Sequence, residues 1–237
     1  MLLPASPIAS FGGAFEFIFT PQDSNVTGGE QVGGFSKVLE LTLGQLEVTL
    51  LALALALVFA LPAGLYLGHR HKGEGVAVAL GNAGRAIPEL ALIALVAAVI
   101  GVGLVNVTPA LAILGIPPIL TNAYVGISQV DRATVDAARG MGMSELEILR
   151  RVELPIAVPT VMGGVRGATI AIVATATIAP LAGVETLGDL ILNENIYGEN
   201  GLLAGAVLVA LLALVLEGLL ALLQRRLTSD GLELQTA

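Results

Sequence analysis

Apolar residues in this chain gather in long unbroken runs. They do not recur at the 3.6-residue or two-residue periods of elements with one wet face. Val48 to Gly68 contains no Asp, Glu, Lys or Arg, and roughly 20 helical residues cross a ~30 Å hydrocarbon core. The run predicts a first membrane span over about 45–68. Leu90 to Val130 is also charge-free and too long for one crossing. Asn106-Val107-Thr108-Pro109 supplies a break within it, which predicts a hairpin of two spans over about 87–105 and 108–129. A fourth span is expected over 155–182, with Arg166 inside it, and a fifth over 201–224, with Glu217 inside it. The expected fold class is all-α, a polytopic membrane helix bundle of about five spans.

Residues 1–37 are expected to form an extracytoplasmic or interfacial segment, and 227–237 a tail on the opposite side. Within the first segment, 8–19 is amphipathic and fits either the outer interface or a short extra membrane segment. Thr20 to Gly34 is rich in Gly, Gln, Asp, Ser and Asn and reads as an exposed loop. No basic stretch precedes the first apolar residues, so a cleaved signal peptide is not expected.

Composition makes lipid the solvent. Hydrophobic residues are 55% of the 237 and charged ones 13%, against roughly 25% charged in soluble domains. The absence of Cys excludes disulfides, thiolate nucleophiles and Cys-ligated metals. The net charge of −8 acquires meaning only once the charges are sorted by membrane side. With the N terminus outside, the inner segments hold Arg70, Lys72, Arg85, Arg132, Arg139, Arg150, Arg151, Arg225 and Arg226, which is the positive-inside arrangement. Lys37 stays outside, and the outer segment 183–200 carries Glu185, Asp189, Glu194 and Glu199 with no basic residue. The expected orientation is N-out, C-in. The bilayer is a partner, and nucleic acid is not.

The longest inner loop, 131–155, reads as two short helices joined by a glycine hinge. Asp131 can cap the first, Gly140 and Gly142 end it, and Ser144 with Glu147 makes a capping box for the second. Pro155 then stops the second helix and starts the fourth span. Such an elbow is a docking surface, because Ala137, Ala138, Gly140 and Gly142 permit close approach between flanking charges.

Here the chain resembles a known family. Asp136-Ala137-Ala138, three residues, Gly142, nine residues, then Val152-Glu153-Leu154-Pro155 is similar to the EAA loop of permease subunits of binding-protein-dependent ABC importers. Asp136 stands there for Glu and Val152 for Ile. Ala86-Ile87-Pro88 with Leu90-Ala91-Leu92, the run Pro118 to Ile127, and Ala137-Ala138-Arg139-Gly140-Met141-Gly142-Met143 resemble the osmoprotectant permeases for glycine betaine, choline and carnitine. The likeness covers roughly 35–225. At 183–189 the chain departs from it, with Glu185 and Thr186 where small residues are usual.

The resemblance implies a type I importer permease in a bacterial inner or plasma membrane. It implies two permease subunits forming the pathway, cytoplasmic ATPase subunits that hydrolyse ATP, and an extracytoplasmic binding protein that delivers solute. It also implies coupling to the ATPase through Asp136, Ala137, Ala138, Arg139, Gly140, Met141, Gly142, Glu153, Leu154 and Pro155. The chain would itself be no enzyme and need no cofactor. An importer of the same architecture for an amino acid such as methionine is the alternative. The nine aromatics, six Phe and three Tyr, are too few and too scattered for a choline-type cage, which places most selectivity on another chain.

Charges inside spans are functional candidates. Arg166 lies about 16 Å along the fourth helix from Pro155, and Glu217 about 12 Å from the inner end of the fifth. Arg166 is therefore expected to pair with Glu217, or with Glu89 near the inner end of the second span. Asn122, Thr175 and Thr177 are polar positions that can face an aqueous pathway or satisfy backbone carbonyls. His69 and His71 lack third and fourth ligands and read as part of a basic anchor, so no metal site is expected. Pro62 and Pro88 predict kinks. Gly103, Gly115, Gly163, Gly164, Gly167 and Ala168 predict close helix packing. An intramembrane hydrolase would need a nucleophile with a base, or a metal, and no span holds a His, a Cys or a close acid pair.

Overall fold

The computed structural model describes residues 9–24, 26, 31–75, 77, 79, 81 and 86–228. Arg85 and 229–237 therefore lie outside the described residues. The chain opens with α1 (Phe11–Phe19), an antiparallel ribbon of β1 (Pro21–Asp23) and β2 (Gln31–Gly33), and α2 (Gly34–His69). It continues through α3 (Glu89–Val99), α4 (Leu104–Ser128), α5 (Arg132–Gly140), α6 (Glu145–Ile148), a π-helical turn (Leu149–Glu153) and α7 (Leu154–Ala176). A 3₁₀ turn (Ala179–Ala182), α8 (Gly188–Leu192) and α9 (Glu194–Leu227) complete it. Among the described residues four helices are long and apolar enough to cross a membrane: α2, α4, the continuous helix Glu145–Ala176, and α9.

The remaining crossing is broken, which corrects the single span expected over 87–105. α3 has 11 residues, or about 16 Å, enough for only half of the hydrocarbon. Before Pro88 the described residues 74, 75, 77, 79, 81 and 86 are helical. Among them Ala77 is buried and its carbonyl accepts from Thr121 Oγ1 at 3.2 Å. Pro88 accounts for the break, because it lacks an N–H and drives the preceding residue out of the helical region.

The hairpin turn also lies elsewhere than expected. Gly101 (φ 106°) and Gly103 (φ 112°) make it, in conformations that side chains resist. Asn106 Nδ2 donates to the carbonyls of Ile100 and Val102 at 3.4 and 3.3 Å, so it braces the turn, and Pro109 lies within α4.

α2, α4 and α7 form the core, with Val48, Ala52, Ala56, Leu111, Ile119, Ala168 and Ile172 among its buried residues. Gly164 lets α7 touch α4, where an added Cβ would lie 2.6 Å from the Pro118 carbonyl oxygen. α9 is kinked at Gly198 (φ 70°, ψ 174°) and buries only Gly201, Ala204 and Gly205, which leaves Leu214, Leu219 and Leu222 for lipid. Basic residues Arg70, Lys72, Arg132, Arg139, Arg150, Arg151, Arg225 and Arg226 cluster at the ends of α2, α7 and α9 and on the elbow between α4 and α7. The positive-inside rule makes that end cytoplasmic.

At the outer end α1 has 9 residues, about 13 Å, too short to cross. Phe17 is fully buried beside Tyr197, while Phe11, Phe15 and Phe19 are exposed, as suits an interfacial anchor. The segment expected to be a loop contains the ribbon, paired Pro21 with Gly33, Gln22 with Val32 and Asp23 with Gln31. Only Val32 and Gly33 are buried in it, which leaves no alternation for the sequence to reveal.

Candidate functional site

The cytoplasmic elbow is built by local rules. Asp131 Oδ1 accepts from Ala133 N at 3.2 Å and starts α5. At its other end Gly142 adopts φ 87°, and Met143 N returns to the Ala138 carbonyl at 3.2 Å, a glycine-stopped helix end. Ser144 and Glu147 form a reciprocal capping box on α6. Val130, Val135, Ala138 and Ile148 make a small apolar core beneath. The opposite side is open, with Asp136, Ala137, Arg139, Gly140, Met141 and Gly142 all exposed, Met141 by 77%. An added Cβ at Gly140 or Gly142 would meet nothing within 4 Å.

Arg139 clasps the two helices. It donates to Asp136 Oδ1 at 3.1 Å and, through Nε, to Glu145 Oε1 at 3.1 Å. The hydrogen bond to Glu145 raises the guanidinium further above its usual range.

Pro155 does not stop the second helix. The chain runs helically from Glu145 to Ala176, and Leu154 N donates five residues back to the Leu149 carbonyl. The π turn takes up one extra residue just before the proline, where the helical N–H is missing anyway. α6 and α7 are thus one rod from elbow to outer leaflet, and a push on one is delivered to the other.

Glu153 does not belong to the open face of the elbow, as it is 1% exposed. Its Oε2 lies 2.6 Å from His69 Nδ1, and His69 Nε2 lies 3.1 Å from Glu145 Oε2. His69 ends α2, so these contacts strap the first span to α6 and to the π turn that follows it. Sequence reasoning left this histidine in a basic anchor, because the two residues are 84 positions apart and neither sits in a local motif. Leu154 and Pro155 are half-buried at the root of the rod.

The structure brings Arg166 to Glu217 and away from Glu89. Nε donates to Glu217 Oε1 at 2.8 Å, Nη2 bonds the same oxygen, and Nη1 donates to Gln224 Oε1 at 2.8 Å. This cluster ties the inner half of α9 to α7, and Gln224 was missed because an uncharged residue near a helix end gives no signal. A lone charge at membrane depth costs about 2.5–3.5 kcal/mol on insertion scales. Arg166→Met or Glu217→Leu alone is therefore expected to reduce assembled protein in the membrane several-fold, and R166M/E217L or the charge exchange to restore it. Gel filtration of solubilised protein checks this, and failure of both double variants would remove the pair as the tie.

A cavity of about 360 Å³ opens in the middle of the bundle, lined by Gly81, Ile87, Glu89, Leu114, Pro117, Pro118, Thr121, Asn122, Gly167 and Ala171. Along α4 its lining runs from about 9 to about 21 Å above the helix's inner end. Asn122 is on the wall, its Nδ2 donating to the Pro118 carbonyl at 2.8 Å. Thr175 is buried and reaches the rim by donating to Glu89 Oε2 at 2.7 Å. Thr177 is not on the wall and donates to its own helix, at the Ala174 carbonyl. Among the described residues no group of three metal-ligating side chains is brought together.

At the outer end, Thr186 N donates to Asp189 Oδ2 at 2.9 Å and Gly188 N to Thr186 Oγ1 at 3.2 Å. Burial pushes the Asp189 carboxyl up. An added Cβ on Gly188 would strike the Thr177 carbonyl, so this turn is packed directly on the end of α7.

Residues 45–229 match the family described as the inner membrane component of binding-protein-dependent transport systems. The chain is 35% identical over 189 residues to the glycine betaine/carnitine/choline transport system permease protein OpuCB of Bacillus subtilis, covering 79% of this chain and 87% of that one. It is 35% identical over 198 residues to the choline transport system permease protein OpuBB of the same organism, covering 83% and 91%. With the osmoprotectant import permease protein OsmY of Salmonella typhimurium the identity is 37% over 195 residues, covering 79% and 82%. Among solved structures, the MetNI methionine ABC transporter in an inward-facing conformation aligns with a TM-score of 0.69 at 21% identity, covering 82% of this chain and 98% of that one. An amino acid ABC transporter aligns at 0.60 and 20%, covering 81% and 94%. The chain belongs to the binding-protein-dependent transport system inner membrane components, the permease subunits of ABC importers, in which ATP is hydrolysed by a separate subunit.

Proposed function

We propose that this chain is the transmembrane subunit of an importer for a quaternary-ammonium osmoprotectant: glycine betaine, choline or carnitine. The observation that carries the reading is the 35–37% identity to permeases named for these solutes, along most of both chains. The methionine alternative rests on a shared fold at 21% identity, which speaks for architecture alone.

In this reading the open face of Asp136, Ala137, Arg139, Gly140, Met141 and Gly142 docks on a cytoplasmic ATPase subunit. Ala138, Glu153, Leu154 and Pro155 hold the elbow onto the rod behind it. ATPase closure moves the elbow, and the rod and the His69 strap carry that motion to α7 and α2 as a rigid-body switch. The cavity bearing Asn122 is a segment of the pathway, completed by a second permease subunit. An extracytoplasmic binding protein delivers solute at the outer end.

The test is uptake by the complex purified with its ATPase and its binding protein and reconstituted in proteoliposomes. ATP-dependent accumulation of radiolabelled glycine betaine, choline or carnitine is expected, without accumulation of methionine. The reverse result, or purification from native membranes without any ATPase, refutes the reading.

A further inference from the structure

The broken crossing leaves a carboxylate at membrane depth that no cation among the described residues pairs with. Glu89 opens α3 immediately after Pro88, is exposed, and lies on the cavity wall. Its hydrogen bond from Thr175 Oγ1 comes from a neutral hydroxyl. Among the described residues no Lys, Arg or His forms an ion pair with it, and the intramembrane Arg166 is engaged by Glu217 and Gln224. The described lining residues include no basic side chain and no aromatic ring. Across the cavity Pro118 has no N–H, which leaves the carbonyl of the lining residue Leu114 without its i+4 helical donor. A carbonyl oxygen and a carboxylate carry negative charge that attracts a cation, and with no ring among the described lining residues, charge has to do what a cation–π cage does elsewhere.

We infer that Glu89 is the cation-selecting group of the membrane pathway, favouring a solute of net positive charge, such as choline, over a zwitterion with the same trimethylammonium head. A zwitterion brings its own carboxylate, which Glu89 repels and no described lining residue balances. This inference rests on the solute class proposed above.

The experiment compares wild type, Glu89→Gln and Glu89→Asp in the reconstituted importer, with radiolabelled choline and glycine betaine supplied separately through the same binding protein. Because that protein is unchanged, a shift in the choline-to-betaine uptake ratio reports the membrane chain. E89Q is expected to lower the ratio on the order of tenfold, equivalent to about 1.4 kcal/mol, while E89D keeps the ratio. A ratio that E89Q leaves unchanged or raises overturns the inference. If wild type accumulates neither solute, the proposed solute class has failed, and binding of tetramethylammonium to the complex in nanodiscs still decides the role of Glu89. Weaker binding by E89Q supports it, and equal binding overturns it.

Discussion

Gly142→Val is expected to abolish uptake while leaving the bundle assembled. The residue sits at φ 87°, where a side chain costs about 1–2 kcal/mol and a β-branched one is least tolerated. Among the described residues, nothing beyond its two chain neighbours lies within 4 Å of a Cβ placed there. The damage should therefore be confined to the turn between α5 and α6 and to whatever approaches its open face. A loss of even 1.4 kcal/mol in docking is about tenfold, and turn strain plus a protruding side chain should exceed that. Gly142→Asn, which accepts the left-handed conformation, separates the two effects: the turn survives and only the approach is hindered. Uptake and co-purification of the ATPase should fall in the order glycine, asparagine, valine. Valine with normal uptake would mean the open face of the elbow is not where the ATPase docks.

The elbow was legible in the sequence because its rules are local. Asp131, Ser144 with Glu147, and Gly142 each act within a few residues, and their spacing fixes two short helices and a turn. The four long helices were legible for a different reason, since lipid forbids charge over a stretch whose length is known. The broken crossing was hidden by the same logic. Glu74 and Arg85 and several glycines make 73–88 resemble an inner loop, although residues 74, 75, 77, 79, 81 and 86 are helical and Ala77 is packed in the core. Asn106 and Pro109 have the composition of a break, but the positive-φ glycines at 101 and 103 took the turn and left the proline inside α4. Arg166 and Glu217 could be matched by depth, because a charge in a span must find a partner at its own level. No such rule relates His69 to Glu153.

That strap sets the second large expectation: His69→Ala should destabilise the permease more than any substitution on the open face of the elbow. Glu153 is 1% exposed and its contact with His69 Nδ1 is 2.6 Å. Removing one partner of a buried pair leaves the other stranded, at about 3–5 kcal/mol. Glu153→Gln retains a hydrogen-bonding group and should cost less. H69A/E153L removes both polar groups and should recover most of the stability, because an apolar pair fills the site without stranding a charge. It cannot recover the tie between α2 and the elbow. Thermal unfolding of the solubilised complex should then rank H69A below E153Q and the double variant near wild type. Solute transported per ATP hydrolysed should stay low in the double variant, since α7 alone would still follow the elbow while α2 would not. If the double variant restores both stability and stoichiometry, the strap only fills space, and α2 follows the ATPase through its packing on α4 instead.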